Sequence, residues 1–236
     1  MFLVFEDRVS DSPYIERVWH CHSERRGTFL SVAASHLELV VTRLAGKTTV
    51  TLRGPETRAT TVDCPADGQW FAIRFRLGTF MPNLPTINLL DRKDLTLPMA
   101  ADQSFWLEGS GWECPKFENA ETFVARLVKS GVIARDPAVE AAIRGDHQAL
   151  SIRSVQRHFF HSTGMTHGTF RQIERARYAT DLLRSGTSIL DTVEQAGYFD
   201  QAHLNRSLKN LIGQTPAKIA RKDEQLSFLY NTKPFQ

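Results

Sequence analysis

The sequence predicts an α+β protein of two domains, a small β-barrel or β-sandwich followed by an all-α double helix-turn-helix joined by a long helix. Alternating apolar and polar residues with breaks at glycine and proline fill residues 14–77, which is typical of strands. From residue 120 onward, apolar residues recur at spacings of three and four, which is typical of helices. The charge differs as well, with 13 Lys+Arg against 15 Asp+Glu in residues 1–119 and 16 against 11 in residues 120–236. The expected division is a β-rich domain at 1–115, a helical domain at 120–221 and a C-terminal tail at 222–236.

Six strands are predicted in the N-terminal domain, and the connections between them are short. Gly46, Gly54 with Pro55, and residues 65–68 supply the breaks. Short strands joined in this way predict a small barrel or sandwich, which we interpret as cupin-like. The predicted strands span residues 14–22, 28–33, 36–44, 47–53, 57–63 and 70–77.

Two histidines stand two residues apart on the first predicted strand. The period of a strand places His20 and His22 on one face. The other face takes the alternate side chains, Ile15, Arg17, Trp19 and Cys21. A His-x-His pair can chelate a metal, but Glu24 follows His22 too closely to serve as a third ligand, and His36 and Glu38 lie on another strand. We therefore expect no metal and no cofactor, and keep a metal-binding cupin-type enzyme or sensor with a helical regulatory domain as the alternative.

The segment from Phe80 to Trp112 shows no clear period, which predicts irregular cover with a short helix at residues 86–90. Four aromatic residues in or just after this segment have two interpretations. They either belong to the core or line a pocket for an apolar ligand. They are Phe105, Trp106, Trp112 and Phe117. Two glycines and Pro115 make residues 109–119 the predicted linker.

The first of two matched helices is predicted between Ser151 and Gly164. Ser151 is a typical N-cap, and Gly164 can adopt the left-handed conformation that ends a helix. One face is expected to be buried, with Ile152, Val155 and Phe159. The opposite face carries Arg153, Gln156, Arg157 and Phe160.

The second matched helix repeats this plan between Asp200, its cap, and Gly213. Residues 188–191 form a capping box that opens a preceding helix through Ala196, and Gly197 supplies the tight turn of a helix-turn-helix. The expected inward side chains are Leu204, Leu208 and Leu211. The expected outward side chains are Gln201, Ala202, Asn205 and Lys209.

Two further helices complete the predicted C-terminal domain. Residues 121–131 are amphipathic and are expected to be an outer support of the first helix-turn-helix. Residues 170–184 form a helix of roughly 20–25 Å between the two units. Such a spacer would hold the units about one turn of DNA apart, near 34 Å.

Residues 120–219 resemble the AraC/XylS family of transcription regulators. The motifs are Ser151-x-Arg153-x-Val155-Gln156-Arg157-x-Phe159 with Gly164, the connecting helix 173–183, Gly197-Tyr198-x-Asp200-Gln201-x-His203-Leu204-x-Arg206, and Gly213-x-Thr215-Pro216. The resemblance implies that the helices opened by Ser151 and Asp200 each enter a major groove, where arginine and glutamine match base edges. It implies base or nearby phosphate contacts from Arg153, Gln156, Arg157, Gln201, Ala202, Asn205 and Arg206.

These observations predict a sequence-specific transcription regulator that binds double-stranded DNA, with an N-terminal domain for sensing or association. No catalytic set, nucleophile elbow or phosphate-binding loop is present, so we expect no enzyme. Three widely spaced cysteines predict no disulfide framework, and no apolar run reaches membrane-spanning length, so we expect a cytoplasmic protein without a membrane partner. Further partners left open are a small-molecule effector, a second copy of the chain, and RNA polymerase if the protein is an activator.

Overall fold

The computed structural model describes residues 2–91, 94–100, 103–145 and 151–222. The chain forms two compact units that interleave along the sequence. Unit 1 comprises Met1–Arg26, Ser35–Pro55 and Pro65–His167, within its described residues. Unit 2 comprises Gly27–Ala34, Glu56–Cys64 and the described residues from Gly168 onward. The domain boundaries proposed from the sequence divide the chain differently, and residues 223–236 of the proposed tail lie outside the described part.

Strands dominate the first half of the chain and helices the second, which confirms the α+β class. The strands are β1 (Leu3–Val9), β2 (Ile15–Ser23), β3 (Gly27–Ser31), β4 (Glu38–Leu44), β5 (Lys47–Arg53), β6 (Thr60–Cys64), β7 (Gln69–Phe75), β8 (Thr79–Phe80), β9 (Leu95–Leu97), β10 (Ser104–Leu107), β11 (Ser110–Glu113) and β12 (Ala134–Arg135). The helices are a 3₁₀ helix at Thr86–Leu89 and α1 (Ala120–Lys129), α2 (Pro137–Ile143), α3 (Ile152–Thr163), α4 (His167–Arg184), α5 (Ile189–Gln195), α6 (Gln201–Leu211) and α7 (Pro216–Arg221).

Unit 1 is built on an antiparallel sheet with the strand order β1-β2-β7-β4-β5-β9. Its edges are β1 and β9, so the described strands do not close a barrel. The apolar face of the sheet packs with the β10–β11 ribbon and α1 in one core, which gives a layered, sandwich-like architecture. Strand β11 and the core residue Trp112 occupy the start of the predicted linker, so that prediction is wrong there.

All six predicted strands are present as β2 to β7, with ends shifted by a few residues. Two side-chain assignments are corrected. Ile15 does not share a face with Arg17, because a register shift between them turns Ile15 into the core with Val18. Helix α1 is not an outer support of the helix-turn-helix, because Phe123 and Leu127 are buried in the core of the sheet.

Neither a disulfide framework nor a membrane-spanning run is predicted from the sequence. Cys21, Cys64 and Cys114 are free and buried, and burial raises the pKa of the Cys114 thiol. No helix within the described ranges combines the length and the apolar character needed to cross a lipid bilayer.

A bidentate ion pair fixes α1 to β1. Nη1 and Nη2 of Arg8 donate to the two carboxylate oxygens of Glu121 at 2.5 and 2.8 Å, and Oγ of Ser10 donates at 2.8 Å. The hydrogen bonds from Arg8 are the main reason that the pKa of Glu121 is lowered to about 2. Both side chains are about one third exposed, so solvent screening limits the contribution of the pair to about 1 kcal/mol or less.

Arg8→Met is expected to lower the free energy of unfolding by up to about 1 kcal/mol at neutral pH. Because the folded pKa of Glu121 lies below its unfolded value, this contribution is present above about pH 4 and is lost as the pH falls toward 2. Urea unfolding at pH 7, 4 and 2.5 measures the difference between Arg8→Met and wild type. A difference that does not shrink at low pH would contradict the assignment, and the exposed Arg25→Met serves as the control.

Candidate nucleic-acid interface

Helix α3, in unit 1, has defined ends. Oγ of Ser151 accepts the backbone N–H of Ser154 at 3.2 Å, and Gly164 closes the helix with a φ of 70° while donating to the carbonyl of Phe160. Val155 and Phe159 are buried as expected. Ile152 is 79% exposed, so the prediction that it joins their stripe is wrong. It is the first helical residue, and the surface that covers Val155 and Phe159 does not extend to it.

The opposite face of α3 presents the polar side chains that the sequence singled out. Arg153, Gln156 and Arg157 are exposed, and Phe160 lies among them with 47% of its surface exposed. Arg157 also borders a hollow of about 370 Å³ together with Arg135, His158 and His161. The exposed face of α3 is therefore mainly polar and cationic, and Asp136 is the carboxylate that borders the same hollow.

Helix α3 is held from two sides within unit 1. Asp136 caps α2 by accepting the N–H of Ala138, and its second oxygen contacts Nδ1 of His158 at 2.8 Å. At the far end, Oγ1 of Thr86, in the 3₁₀ helix, donates to the carbonyl of Ser162 at 3.0 Å. These contacts fix the orientation of the α3 polar face. Residues 146–150, the connection after α2, lie outside the described residues.

The α5–turn–α6 segment of unit 2 has the geometry of a helix-turn-helix. Oγ of Ser188 accepts the N–H of Asp191 at 3.1 Å and so caps α5, and Gly197 makes the turn with a φ of 66°. Tyr198 is buried after it, and its hydroxyl contacts Oγ of Ser207 at 3.0 Å. The guanidinium of Arg175, in α4, lies 4.5 Å from the centre of the Tyr198 ring. The turn is thereby tied to both α4 and α6.

Helix α6 begins at this turn and presents a polar face. Oδ1 of Asp200 accepts the N–H of His203 at 2.6 Å, and the predicted inward residues Leu204, Leu208 and Leu211 are buried. The predicted contact residues are exposed in three cases, Gln201, Ala202 and Arg206, and half-buried in the fourth, Asn205. Gln201, Ala202 and Asn205 line a hollow of about 460 Å³, bordered by Ile189 and by Thr215, Pro216 and Ala217.

Residues 146–222 match the family model described as a helix-turn-helix domain. Helices α3 to α7, among them the α5–turn–α6 segment, all lie within the matched residues. No curated protein matches the chain. A solved structure of ToxT from Vibrio cholerae is 9% identical over 92% of this chain and 98% of that chain, with a TM-score of 0.40.

A ribbon from the N-terminal third of the chain contacts the C-terminal end of helix α6 within unit 2. Strands β3 and β6 pair to form this ribbon. The N–H groups of Ala33 and Ala59, beside the ribbon, donate to the carbonyls of Leu211 and Asn210, both at 2.8 Å. A Cβ on Gly213 would lie 3.2 Å from side-chain atoms of Leu30 and Ala59, so glycine fits the close approach. Two of the backbone carbonyls that a helix leaves unpaired at its C-terminus thus accept hydrogen bonds from residues next to the ribbon. No local pattern in the sequence signals this contact.

A cavity of about 410 Å³ lies in unit 1 at the polar end of the sheet face that forms the core. Its lining combines the two histidines of the predicted His-x-His pair with cationic and aromatic side chains, His20, His22, Arg43, Gln69, Phe71, Lys116 and Phe117 among them. The Phe117 ring stacks on His20 at 4.7 Å and lies 5.0 Å from the guanidinium of Arg8.

The two sequence hypotheses about this region have different outcomes. Within the described part of the chain, no group of three or more His, Cys, Asp or Glu side chains is placed to hold a metal, and His20 contacts Glu6 at 2.8 Å. Of the four aromatic residues considered as a pocket, Phe105 and Trp112 are buried in the core and Trp106 is half exposed. Phe117 is the member of that set which lines the cavity.

Proposed function

We propose that α3 and α6 each enter a major groove of one duplex and together recognise a site of roughly 15–20 base pairs. The observation that carries this proposal is the rigid presentation of the α6 face. Gln201, Ala202 and Asn205 line one hollow at the N-terminal end of a helix whose preceding turn is fixed by Tyr198. The N-terminal residues of a recognition helix are those that contact base edges.

The spacing of the two contacts is part of the proposal. Helix α4 lies between α3 and α6 in the chain, and its 18 residues give a length of about 27 Å. This length supports contacts to two major-groove segments about one helical turn, near 34 Å, apart. Footprinting on a selected sequence measures the spacing directly, and protection of a single groove segment would contradict the two-helix proposal.

Base contacts are proposed for Arg153, Gln156, Arg157, Gln201, Ala202, Asn205 and Arg206. The substitutions Arg157→Ala and Gln201→Ala are expected to relax sequence preference at separate half-sites, each by about 1–3 kcal/mol of discrimination. Competition binding at fixed salt with singly altered sites measures the loss. Exposed residues of the same types outside the proposed interface, Arg25→Ala and Gln195→Ala, are the matched controls. Equal loss of affinity on all sequences would instead assign these side chains to phosphate.

The cavity in unit 1 is proposed as the site of a small anionic effector, a carboxylate or a phosphate compound. Arg43 and Lys116 are cationic and exposed in its lining, Glu118 is the carboxylate there, and Phe71 and Phe117 supply an apolar wall. Concave sites that combine apolar walls with few placed polar groups are typical of small-ligand binding. Thermal unfolding of wild type and Arg43→Ala with benzoate, acetate and inorganic phosphate tests this. Stabilisation that is unchanged in Arg43→Ala would contradict a site at this cavity.

We propose that the protein is a sequence-specific transcription regulator of the AraC/XylS type, and its remaining partners follow from that role. We propose that the protein acts in the cytoplasm, where DNA is accessible, has no enzymatic activity, and contacts RNA polymerase if it activates transcription. A second copy is a further proposed partner, and sedimentation with and without DNA distinguishes a monomer from a dimer.

A further inference from the structure

Phe199 is the most exposed of the large apolar side chains in the described part of the chain. It is 91% exposed, whereas Tyr198 immediately before it is 5% exposed. Single exposed apolar residues are common on protein surfaces and by themselves indicate nothing. The position of Phe199 and the rigidity of its neighbours distinguish it.

The backbone on both sides of Phe199 is fixed. Before it, the Tyr198 N–H donates to the carbonyl of Val193 at 2.9 Å, and the Tyr198 ring is held by Ser207 and Arg175. After it, Asp200 caps α6. Because its flanking residues are fixed, the Phe199 ring is held in solvent. Binding a partner over this ring would therefore cost little backbone conformational entropy.

Phe199 stands two residues before Gln201, at the end of α6 that carries the proposed base contacts. A surface that meets Gln201 and Asn205 in a major groove also comes within reach of this turn. The main apolar group of the major groove is the thymine methyl, which apolar side chains contact directly. An aromatic ring at this position is therefore better suited to contact a base at the edge of the α6 half-site than to remain in solvent.

We propose that Phe199 is a specificity-determining residue whose ring packs on a thymine methyl group at the edge of the half-site bound by α6. This inference rests on the proposed entry of α6 into the major groove. It adds an apolar contact to a set of otherwise polar ones. It also makes one thymine of the half-site distinguishable from uracil, which lacks the methyl group and is otherwise equivalent in pairing.

The test compares full-length wild type and Phe199→Ala on a selected site in which each thymine of the α6 half-site is replaced, one at a time, by deoxyuridine. Phe199→Ala is expected to bind the unmodified site about tenfold more weakly, as the loss of a partly buried ring predicts. One deoxyuridine is expected to weaken wild type about fourfold, the contribution of one buried methyl group, and to leave Phe199→Ala unaffected. The dependence of affinity on salt should not change, because no phosphate contact is removed.

Leu190→Ala is the matched control, because Leu190 is an apolar side chain of α5 that is 71% exposed. It is expected to bind as wild type does. The thymine contact is overturned if Phe199→Ala binds normally, if Leu190→Ala loses as much affinity, or if no deoxyuridine weakens wild type selectively. Failure of wild type to prefer any sequence would instead overturn the proposed function.

Discussion

Gly164→Ala is expected to destabilise the protein by about 3 kcal/mol or more. The residue has a φ of 70°, which disfavours any side chain, and a Cβ there would lie 2.8 Å from the backbone nitrogen of Ile87 and 2.9 Å from the carbonyl carbon of Thr86. Backbone atoms cannot rotate away as a side chain can. The end of α3 would have to move from the 3₁₀ helix, with loss of the hydrogen bond from Thr86 to Ser162.

Chemical denaturation measures this effect, and Gly131→Ala is its control. Gly131 has a φ of 72° and nothing within 4 Å of a Cβ, so its substitution carries only the conformational cost, about 1 kcal/mol. Similar losses in the two variants would show that the contact with Ile87 does not constrain α3. On DNA, Gly164→Ala is expected to weaken the proposed α3 half-site more than the α6 half-site, because α3 is the helix it displaces.

Glu38→Leu is expected to destabilise unit 1 by about 3–5 kcal/mol. Nε of Arg74 donates to Oε1 of Glu38 at 2.8 Å, and the side chains are only 2% and 5% exposed. The substitution removes this carboxylate from a buried guanidinium, and breaking a buried ion pair by removing one partner is strongly destabilising. Urea unfolding at neutral pH measures the change.

Two further variants make the Glu38 result interpretable. The double substitution Glu38→Leu with Arg74→Met removes both charges and is expected to recover much of the lost stability. Asp94→Leu removes the partner of Arg53 in a more exposed pair at 3.5 Å and is expected to cost less than about 1 kcal/mol. A double variant as unstable as Glu38→Leu would show that the loss comes from packing rather than from the isolated charge.

The sequence predicts best those parts of the molecule that local patterns determine. The capped ends of α3 and α6 follow from residues within a few positions, such as Ser151 with Ser154 and Asp200 with His203. The same holds for the apolar face of α6, since a 3.6-residue period is a local property. The outward faces of α3 and α6 could therefore be named from the sequence, whereas the DNA contacts are implied by the family resemblance and stay a prediction.

The errors arose where distant chain segments decide the outcome. Ile15 fits the alternation of its strand, yet a local register shift turns it into the core. The period of α1 predicted which side chains are buried but not that the sheet covers them. Ile152 has the right spacing for burial, but no described neighbour reaches the first turn of α3 closely enough to cover it. Strand β1, which was not predicted, pairs with β2 over seven positions.

The β3–β6 ribbon has a consequence for how this protein can be divided. A fragment that begins near residue 120 contains every residue of the family match, but it lacks Ala33 and Ala59, whose amides bond the last carbonyls of α6. Such a fragment would therefore leave the carbonyls of Asn210 and Leu211 without the hydrogen bonds that the intact chain provides. During synthesis the ribbon emerges before α6, so these two hydrogen bonds form only after both segments have been made.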